Sequence, residues 1–166
     1  MAITADTLRA MRPSPFLDGF SDPNLEALAS SLEEAEFPRD GRLFEQGSKG
    51  DSMYLIISGQ VGVVRSVDQD QEDGPAKSRD RMLAAVGPGE LVGEMALIEG
   101  EPRSATVVAL EKVVAARLTT ACYEEMQKRN TKLALQLSLG LFRVISHRIR
   151  QVDRSLEVAN YRILTT

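Results

Sequence analysis

Residues 89–107 read GELVGEMALIEGEPRSATV, and this stretch combines a glycine-rich turn with several charged side chains. Gly93 would let the backbone approach a bound molecule closely, because glycine has no side chain to obstruct it. Residues 94–98 can form one helical turn whose free amide hydrogens attract an anion. Arg103 adds a planar set of donors that matches phosphate oxygens, and Ser104 adds a hydroxyl and an amide. The stretch therefore predicts a site for a phosphate group.

A carboxylate within this phosphate-binding stretch needs a separate explanation. Glu94 would repel an anionic ligand unless its carboxylate faced a donor such as a ribose hydroxyl. We therefore expect one ligand that carries both a phosphate and a sugar. The alternative is that Glu94 and Arg103 form an ordinary surface ion pair, which contributes little to stability.

The surrounding sequence predicts an antiparallel barrel or sandwich, because short apolar runs are divided by glycine and proline. These runs are residues 42–44, 53–58, 60–65, 81–86, 105–109 and 113–118. Residues 67–80 carry many charges and few apolar side chains, so we expect a mobile hairpin tip there. The predicted fold class is mainly β with α: an antiparallel barrel or sandwich flanked by N-terminal helices and a long C-terminal helix.

The flanking segments set the expected domain boundaries. Residues 1–13 are weakly patterned and predict an N-terminal tail. A proline at the helix start and apolar spacings of three and four predict a helix over 22–34. We expect a compact β unit with flanking helices over 14–130 and a C-terminal dimerisation helix over 131–166.

The last helix carries a sustained heptad repeat. Its members are Leu135, Ser138, Phe142, Ile145, Ile149, Val152, Leu156, Ala159 and Ile163. This spacing predicts a coiled-coil seam and a parallel homodimer. The alternative is that the stripe packs only on the barrel. A second apolar face is available for that contact, and it consists of Leu133, Leu137, Leu141 and Val144.

Composition argues against several classes of function. The net charge of -4 disfavours the broad basic surface that nucleic-acid binding needs. Cys122 is the only cysteine, and the sequence has no signal peptide and no apolar run long enough to span a bilayer, so we expect a cytoplasmic protein without membrane contact. His147 is the only histidine and no cysteine cluster replaces it, so we expect neither a metal site nor an enzyme.

The sequence resembles the cyclic nucleotide-binding domain family, which includes the catabolite activator protein and the regulatory subunits of cyclic-AMP-dependent protein kinase. GEMALI, a short spacer and PRSATV follow the phosphate-binding cassette of that family. Upstream residues that match its strands and turns are Gly41, Phe44, Gly47, Gly50, Asp51, Tyr54 and residues 59–63. The resemblance covers roughly residues 14–155, and Val92 departs from it where the family often has phenylalanine. It implies that the β unit is an antiparallel β-roll, similar to a jelly roll, and that the C-terminal helix over 131–166 is a dimerisation or lid helix.

This resemblance implies a role for each site residue, with cyclic AMP favoured over cyclic GMP as the ligand and with no cofactor. Glu94 and Gly93 would bind the ribose. The residues expected at the phosphate are Arg103, Ser104, Ala105, Met95 and Ala96. Those expected in the base pocket are Val61, Leu91 and Val107, together with Val152 and Asp153 from the last helix, where Asp153 could accept a hydrogen bond from an adenine amino group.

The resemblance also implies a mechanical output. Ligand binding would draw the cassette inward and reposition the helix after the barrel, with Met95, Leu97 and Ile98 coupling the two by packing. Family members that bind DNA carry a helix-turn-helix after the long helix, and few residues remain before Thr166, so we expect a downstream protein partner rather than direct contact with nucleic acid.

Two alternatives stay open. One is an interaction module of the same fold whose pocket takes no ligand or another anion. The other is an enzyme, favoured only by analogy with metal-dependent barrels.

Overall fold

The computed structural model describes residues 3–69 and 77–164, in which two short helices precede a β-roll and two further helices follow it. The elements are α1 Ala5–Ala10, α2 Asp22–Ala29, β1 Glu33–Phe37, β2 Arg42–Phe44, β3 Ser52–Ser58, β4 Val61–Gln69, β5 Lys77–Val86, β6 Leu91–Val92, α3 Glu94–Glu99, β7 Thr106–Ala109, β8 Val113–Thr119, α4 Thr120–Arg129 and α5 Thr131–Leu164.

The strands of the described residues form two four-stranded antiparallel sheets, in the orders β1-β8-β3-β6 and β2-β7-β4-β5. Ile56 of β3 lies opposite Ala115 of β8, and Val61 of β4 lies opposite Ala109 of β7. All four are buried in one apolar cluster to which both sheets contribute. The predicted β-roll with flanking helices is therefore confirmed.

The ends of several helices and strands differ from the prediction, because these elements are short or rich in charged residues and have a weak apolar pattern. The helix expected over 22–34 ends at Ala29, and the next element is β1, whose sequence EEAEF has no clear apolar alternation. The predicted tail over 1–13 contains α1, whose Leu8 is fully buried. Strands β4 and β5 extend into the predicted hairpin tip over 67–80, and its residues 70–76 lie outside the described part of the chain.

Helix α5 packs along the roll through the apolar face that we predicted for this contact. Leu133, Leu137, Leu141 and Val144 are all buried in a cluster with residues of α2 and of the sheets. Gly140 lies on the same face, where an added Cβ would overlap the main-chain oxygen of Phe16. Glycine at this position therefore lets α5 approach the N-terminal segment closely.

The opposite face of α5 remains exposed, as the predicted seam requires. The exposed fractions are 61% for Leu135, 48% for Leu139, 68% for Phe142, 56% for Ile149 and 59% for Val152. Among the residues that the structure describes, no helix is long and apolar enough to cross a membrane.

Candidate nucleotide site

The main chain around Arg103 is tied to the loop that joins β2 and β3. The Arg103 amide donates to the Ser48 oxygen at 2.9 Å, and the Gly47 amide donates to the Arg103 oxygen at 2.8 Å. These two bonds fix the strand entry before β7, so the Arg103 side chain starts from a defined position beneath α3.

The Arg103 guanidinium is almost completely buried, with 5% of the residue exposed. Nη1 donates to the Gly93 oxygen at 3.0 Å, and Nη2 donates to the Ser52 oxygen at 2.6 Å and to Ser52 Oγ at 3.3 Å. The Phe44 ring lies beneath it, 4.0 Å from Cζ to the ring centroid. Burial lowers the pKa of Arg103, while the neighbouring Tyr54 and Asp51 oppose that shift. The group stays cationic because arginine is not deprotonated in proteins.

One donor of this guanidinium has no partner. Nε of Arg103 is buried and forms no hydrogen bond with any residue that the structure describes. A buried polar atom without a partner is costly, and such atoms often mark a place where a ligand completes the site. The orphaned donor therefore fits an anionic group that is supplied from outside the chain.

Gly93 is required by the way this arginine packs. Its φ of +79° lies in the left-handed region that favours glycine. An added Cβ would overlap Nη1 of Arg103 and would lie 3.1 Å from Cε1 of Phe44. The glycine that the sequence marked as a point of close approach thus accommodates Arg103 as well as any ligand.

Glu94 begins α3 and is 4% exposed. Its Oε1 accepts a hydrogen bond from Nη1 of Arg148, which reaches across from α5, and Nη2 of Arg148 donates to the Leu91 oxygen. The Arg148 side chain remains 39% exposed. Arg148 therefore ties α5 to Leu91 of β6 and to Glu94 of α3, on either side of the turn that precedes α3.

The two buried charges meet at one cavity of about 540 Å³, within the roughly 300–1,000 Å³ that is typical of ligand sites. Its lining residues are Phe44, Val63, Ala84, Ala85, Val86, Glu90, Val92, Gly93, Glu94, Met95, Arg103, Ser104, Ala105, Val107, Arg148, Gln151 and Val152. Most of these residues are apolar, and the charged ones include Arg103 and Glu94. This combination suits a ligand with a flat apolar part and a polar, anionic part.

Most of the predicted site residues surround this cavity. The predicted residues that line it are Gly93, Glu94, Met95, Arg103, Ser104, Ala105, Val107 and Val152. Val61 and Leu91 are instead fully buried in the two core clusters and are not among the lining residues. Asp153 lines a second cavity of about 380 Å³, and the side chain of Ala96 lies outside the described part of the structure.

The second cavity lies between α3 and α5. It shares Glu94, Met95, Arg148 and Val152 with the first, and its other lining residues are Ile98, Glu99, Ile145, Ile149 and Asp153. Of the three predicted coupling residues, Met95 and Ile98 line this cavity, whereas Leu97 is buried in the core beside α5.

Sequence reasoning missed two cavity residues on α5 and several apolar ones. Arg148 was one of several arginines on the last helix, and Gln151 had no feature that separated it from a solvated position. No local spacing joins Arg148 to Glu94, because 54 residues separate them. His147 lies on α5 and is exposed, and no cluster of potential metal ligands occurs among the described residues.

The family model of the cyclic nucleotide-binding domain matches residues 34–130, which is more than half of the sequence. The chain therefore belongs to the cyclic nucleotide-binding domain family, a class of regulatory domains. This match confirms the resemblance drawn from the cassette residues.

Three comparisons show how the chain relates to known proteins. It is 30% identical over 151 residues to the cyclic AMP receptor protein of Thermus thermophilus, covering 91% of this chain and 64% of that protein. It is 27% identical over 138 residues to the CRP-like cAMP-activated global transcriptional regulator of Mycobacterium tuberculosis, covering 83% of this chain and 56% of that protein. The chain thus spans about three fifths of these curated relatives. A crystal structure of a cyclic nucleotide-binding domain from Methylobacillus flagellatus superposes with a TM-score of 0.78 at 28% identity, covering 92% of this chain and 83% of that one.

Proposed function

We propose that this chain is a sensor that binds a cyclic purine nucleotide in the first cavity, with cyclic AMP preferred over cyclic GMP. The observation that carries the proposal is that Arg103 and Glu94, both at least 95% buried, line the same cavity. An isolated surface ion pair would leave both side chains in solvent. Two of the relatives named above, a cyclic AMP receptor and a cAMP-activated regulator, support the choice of base.

Arg103 binds the cyclic phosphate in this proposal. Its three hydrogen bonds to Gly93 and Ser52 leave at least two of its five N–H donors available, and Nε is one of them. The site is therefore oriented before the ligand arrives, and little reorganisation opposes binding. The hydroxyl of Ser104, at the exposed edge of the cavity, adds a further donor.

Glu94 accepts a hydrogen bond from the ribose 2'-hydroxyl. Because Arg148 already donates to one oxygen of this carboxylate, the sugar has to share it or replace Arg148. Binding at the ribose therefore reaches α5 directly, without a chain of intermediate residues. This contact gives the proposed repositioning of the helix a physical cause, since it differs between the two states.

The base lies against the apolar lining residues in this proposal, of which Val107 comes from β7 and Ala84 comes from β5. Val152 of α5 contributes to the same base pocket. Asp153 lines only the second cavity, so the proposed base pocket uses Val152 rather than Asp153 from this helix. In protein dilute enough to be monomeric, equal cyclic AMP affinity for wild type and Asp153→Ala is the expected result, and a ligand titration measures it.

The exposed stripe of α5 forms a parallel homodimer in this proposal, through which a downstream protein would sense the ligand. Replacing Ile149 and Val152 with Glu should give monomers in sedimentation velocity, because four charges would enter an apolar seam. A wild-type protein that is monomeric at tens of micromolar would contradict the seam. The expectation of a cytoplasmic, non-enzymatic domain belongs to the same proposal.

Titration calorimetry tests the ligand directly, with cyclic AMP, cyclic GMP and linear 5'-AMP as the panel. We expect saturable binding of cyclic AMP, weaker binding of cyclic GMP and the weakest binding of 5'-AMP. The phosphate of 5'-AMP carries an additional negative charge and is not closed into a ring with the ribose. Mass spectrometry of small molecules released from the purified protein gives an independent identification. If no cyclic nucleotide binds, the interaction module of the same fold becomes the better interpretation.

A further inference from the structure

The exposed face of α5 has the residue pattern of one side of a coiled coil. In heptad notation Phe142 and Ile149 occupy a positions, and Ile145 and Val152 occupy d positions. Phe142 is 68% exposed, and the described residues of this chain leave that face uncovered. A large apolar side chain on an open helix face is expected to meet a partner.

The charged residues beside this stripe identify the partner as a second copy of the chain. Arg148 precedes an a position and is therefore at g, and Asp153 follows a d position and is at e. In a parallel coiled coil a g residue faces the e residue that is five positions later in the other chain. Arg148 of one copy would then face Asp153 of a second copy, twice in a symmetric dimer. An antiparallel pair would instead align g positions with each other, and two of those positions hold Arg148 and Arg162.

Asp153 is available for such a contact. It is exposed, and it forms no ion pair with any residue that the structure describes. It also lines the second cavity together with Arg148, so the second copy would bring its own Asp153 to the edge of a groove that already contains the arginine.

Arg148, however, is already bound to Glu94 and to the Leu91 oxygen of its own chain. A single guanidinium at this position has two candidate carboxylates, one within the chain and one on a second copy. We propose that, in the parallel homodimer already described, Arg148 exchanges Glu94 for Asp153 of the second copy when a nucleotide ribose engages Glu94. This inference rests on the proposed function, and it makes the stability of the dimer depend directly on the ribose contact.

The exchange links dimer stability to occupancy of the ribose site. Two new ion pairs at a partly exposed seam should lower the dimer dissociation constant by about fivefold. Linkage requires that the nucleotide bind the dimer more tightly than the monomer by the same overall factor. If the ligand does not change the stability of the dimer, the monomer and the dimer must bind the nucleotide with equal affinity.

Sedimentation velocity over a concentration series measures the dimer dissociation constant of four proteins: wild type, Glu94→Gln, Asp153→Asn and the double variant. Glu94→Gln removes the competing charge, so it should tighten the dimer by about fivefold with no nucleotide present. The double variant should lose this gain, because the second acceptor is gone. Glu99→Gln is the matched control: it removes the same charge from the same helix, from a side chain that lines the second cavity, and should leave the constant unchanged.

The design separates failure of this inference from failure of the proposed function. If cyclic AMP tightens the wild-type dimer but not Asp153→Asn, both are supported. If cyclic AMP neither binds in calorimetry nor tightens the dimer, while Glu94→Gln still tightens it through Asp153, the competition between the two carboxylates stands and the ligand assignment fails. If cyclic AMP binds in calorimetry without tightening the wild-type dimer, the exchange is overturned. The inference is overturned if Glu94→Gln dimerises no more tightly than wild type, if the double variant keeps the gain, or if none of the proteins dimerises.

The parallel orientation has its own test. Ile149→Cys in a Cys122→Ser background should form a disulfide-linked dimer under mild oxidation, because equivalent a positions lie side by side only in a parallel, in-register pair. Arg150→Cys in the same background, placed at an outer position, should not. Crosslinking of the second variant but not the first would refute the docking geometry.

Discussion

Replacing Arg103 with lysine should damage the proposed site while keeping its charge. The lysine ammonium cannot reproduce the planar set of donors that contacts the Gly93 oxygen and both Ser52 oxygens, and it loses the stacked contact with Phe44. Phosphate oxygens would be left short of donors in a site that is 95% desolvated at this residue. We expect a loss of about 2–3 kcal/mol in binding, or roughly 30-fold to 150-fold in the dissociation constant for cyclic AMP.

The same change should cost stability, because two buried main-chain oxygens lose part of their hydrogen bonding. About 1–2 kcal/mol is expected, which lowers Tm by about 2–8 °C in a domain of this size. Calorimetric titration and differential scanning calorimetry measure the two effects on one preparation. Arg42→Lys is the control, since Arg42 is exposed and does not line the cavity. If Arg103→Lys binds cyclic AMP within about threefold of wild type, the phosphate site lies elsewhere.

Three further substitutions test separate parts of the site. Gly93→Ala should abolish measurable cyclic AMP binding and lower Tm by several degrees, because the new Cβ would overlap Arg103 at a position with a left-handed φ. Gly47→Ala is the control: Gly47 has a φ of +78° but open space around it, so this change should cost only about 1–2 kcal/mol of backbone strain. Glu94→Gln should weaken cyclic AMP binding and reduce discrimination against the 2'-deoxy analogue in competition titrations, and similar wild-type affinities for the two ligands would contradict the ribose role. Gly140→Ala should lower Tm because its Cβ overlaps the chain at Phe16, and an unchanged Tm would show that α5 can move outward without cost.

The cassette could be predicted from sequence because its chemistry is local. Gly93, Glu94 and Arg103 lie within eleven consecutive positions, and each has a residue-specific reason to be there: a left-handed φ, a buried carboxylate and a planar donor set. The apolar strands of the roll could be predicted for a similar reason, since burial on one or both faces leaves a periodic pattern. Where the pattern is weak, as in β1, pairing with β8 supplies the strand and no local signal exists.

The individual contacts of α5 could not be predicted from the sequence in the same detail as the cassette. Its two apolar faces were visible in the sequence, and both are present. Which neighbouring residues enter the cavity depends on the rotation of the helix about its axis, and one residue changes that direction by about 100°. Val152 enters the first cavity and Asp153 does not, a distinction that spacing alone leaves open.

Arg103 and Glu94 are held in different ways, and this difference gives them different roles in the proposed function. Arg103 is fixed by main-chain oxygens and by Phe44, so its position need not change when a phosphate arrives, and it would contribute affinity without transmitting a signal. Glu94 is held by a side chain from another element, and a ligand hydroxyl that donates to its carboxylate competes with that contact. A ligand shifts a conformational equilibrium only through interactions that differ between the two states. The response of α5 should therefore follow the ribose contact at Glu94, and a phosphate-bearing ligand that lacks the 2'-hydroxyl should bind without moving the helix.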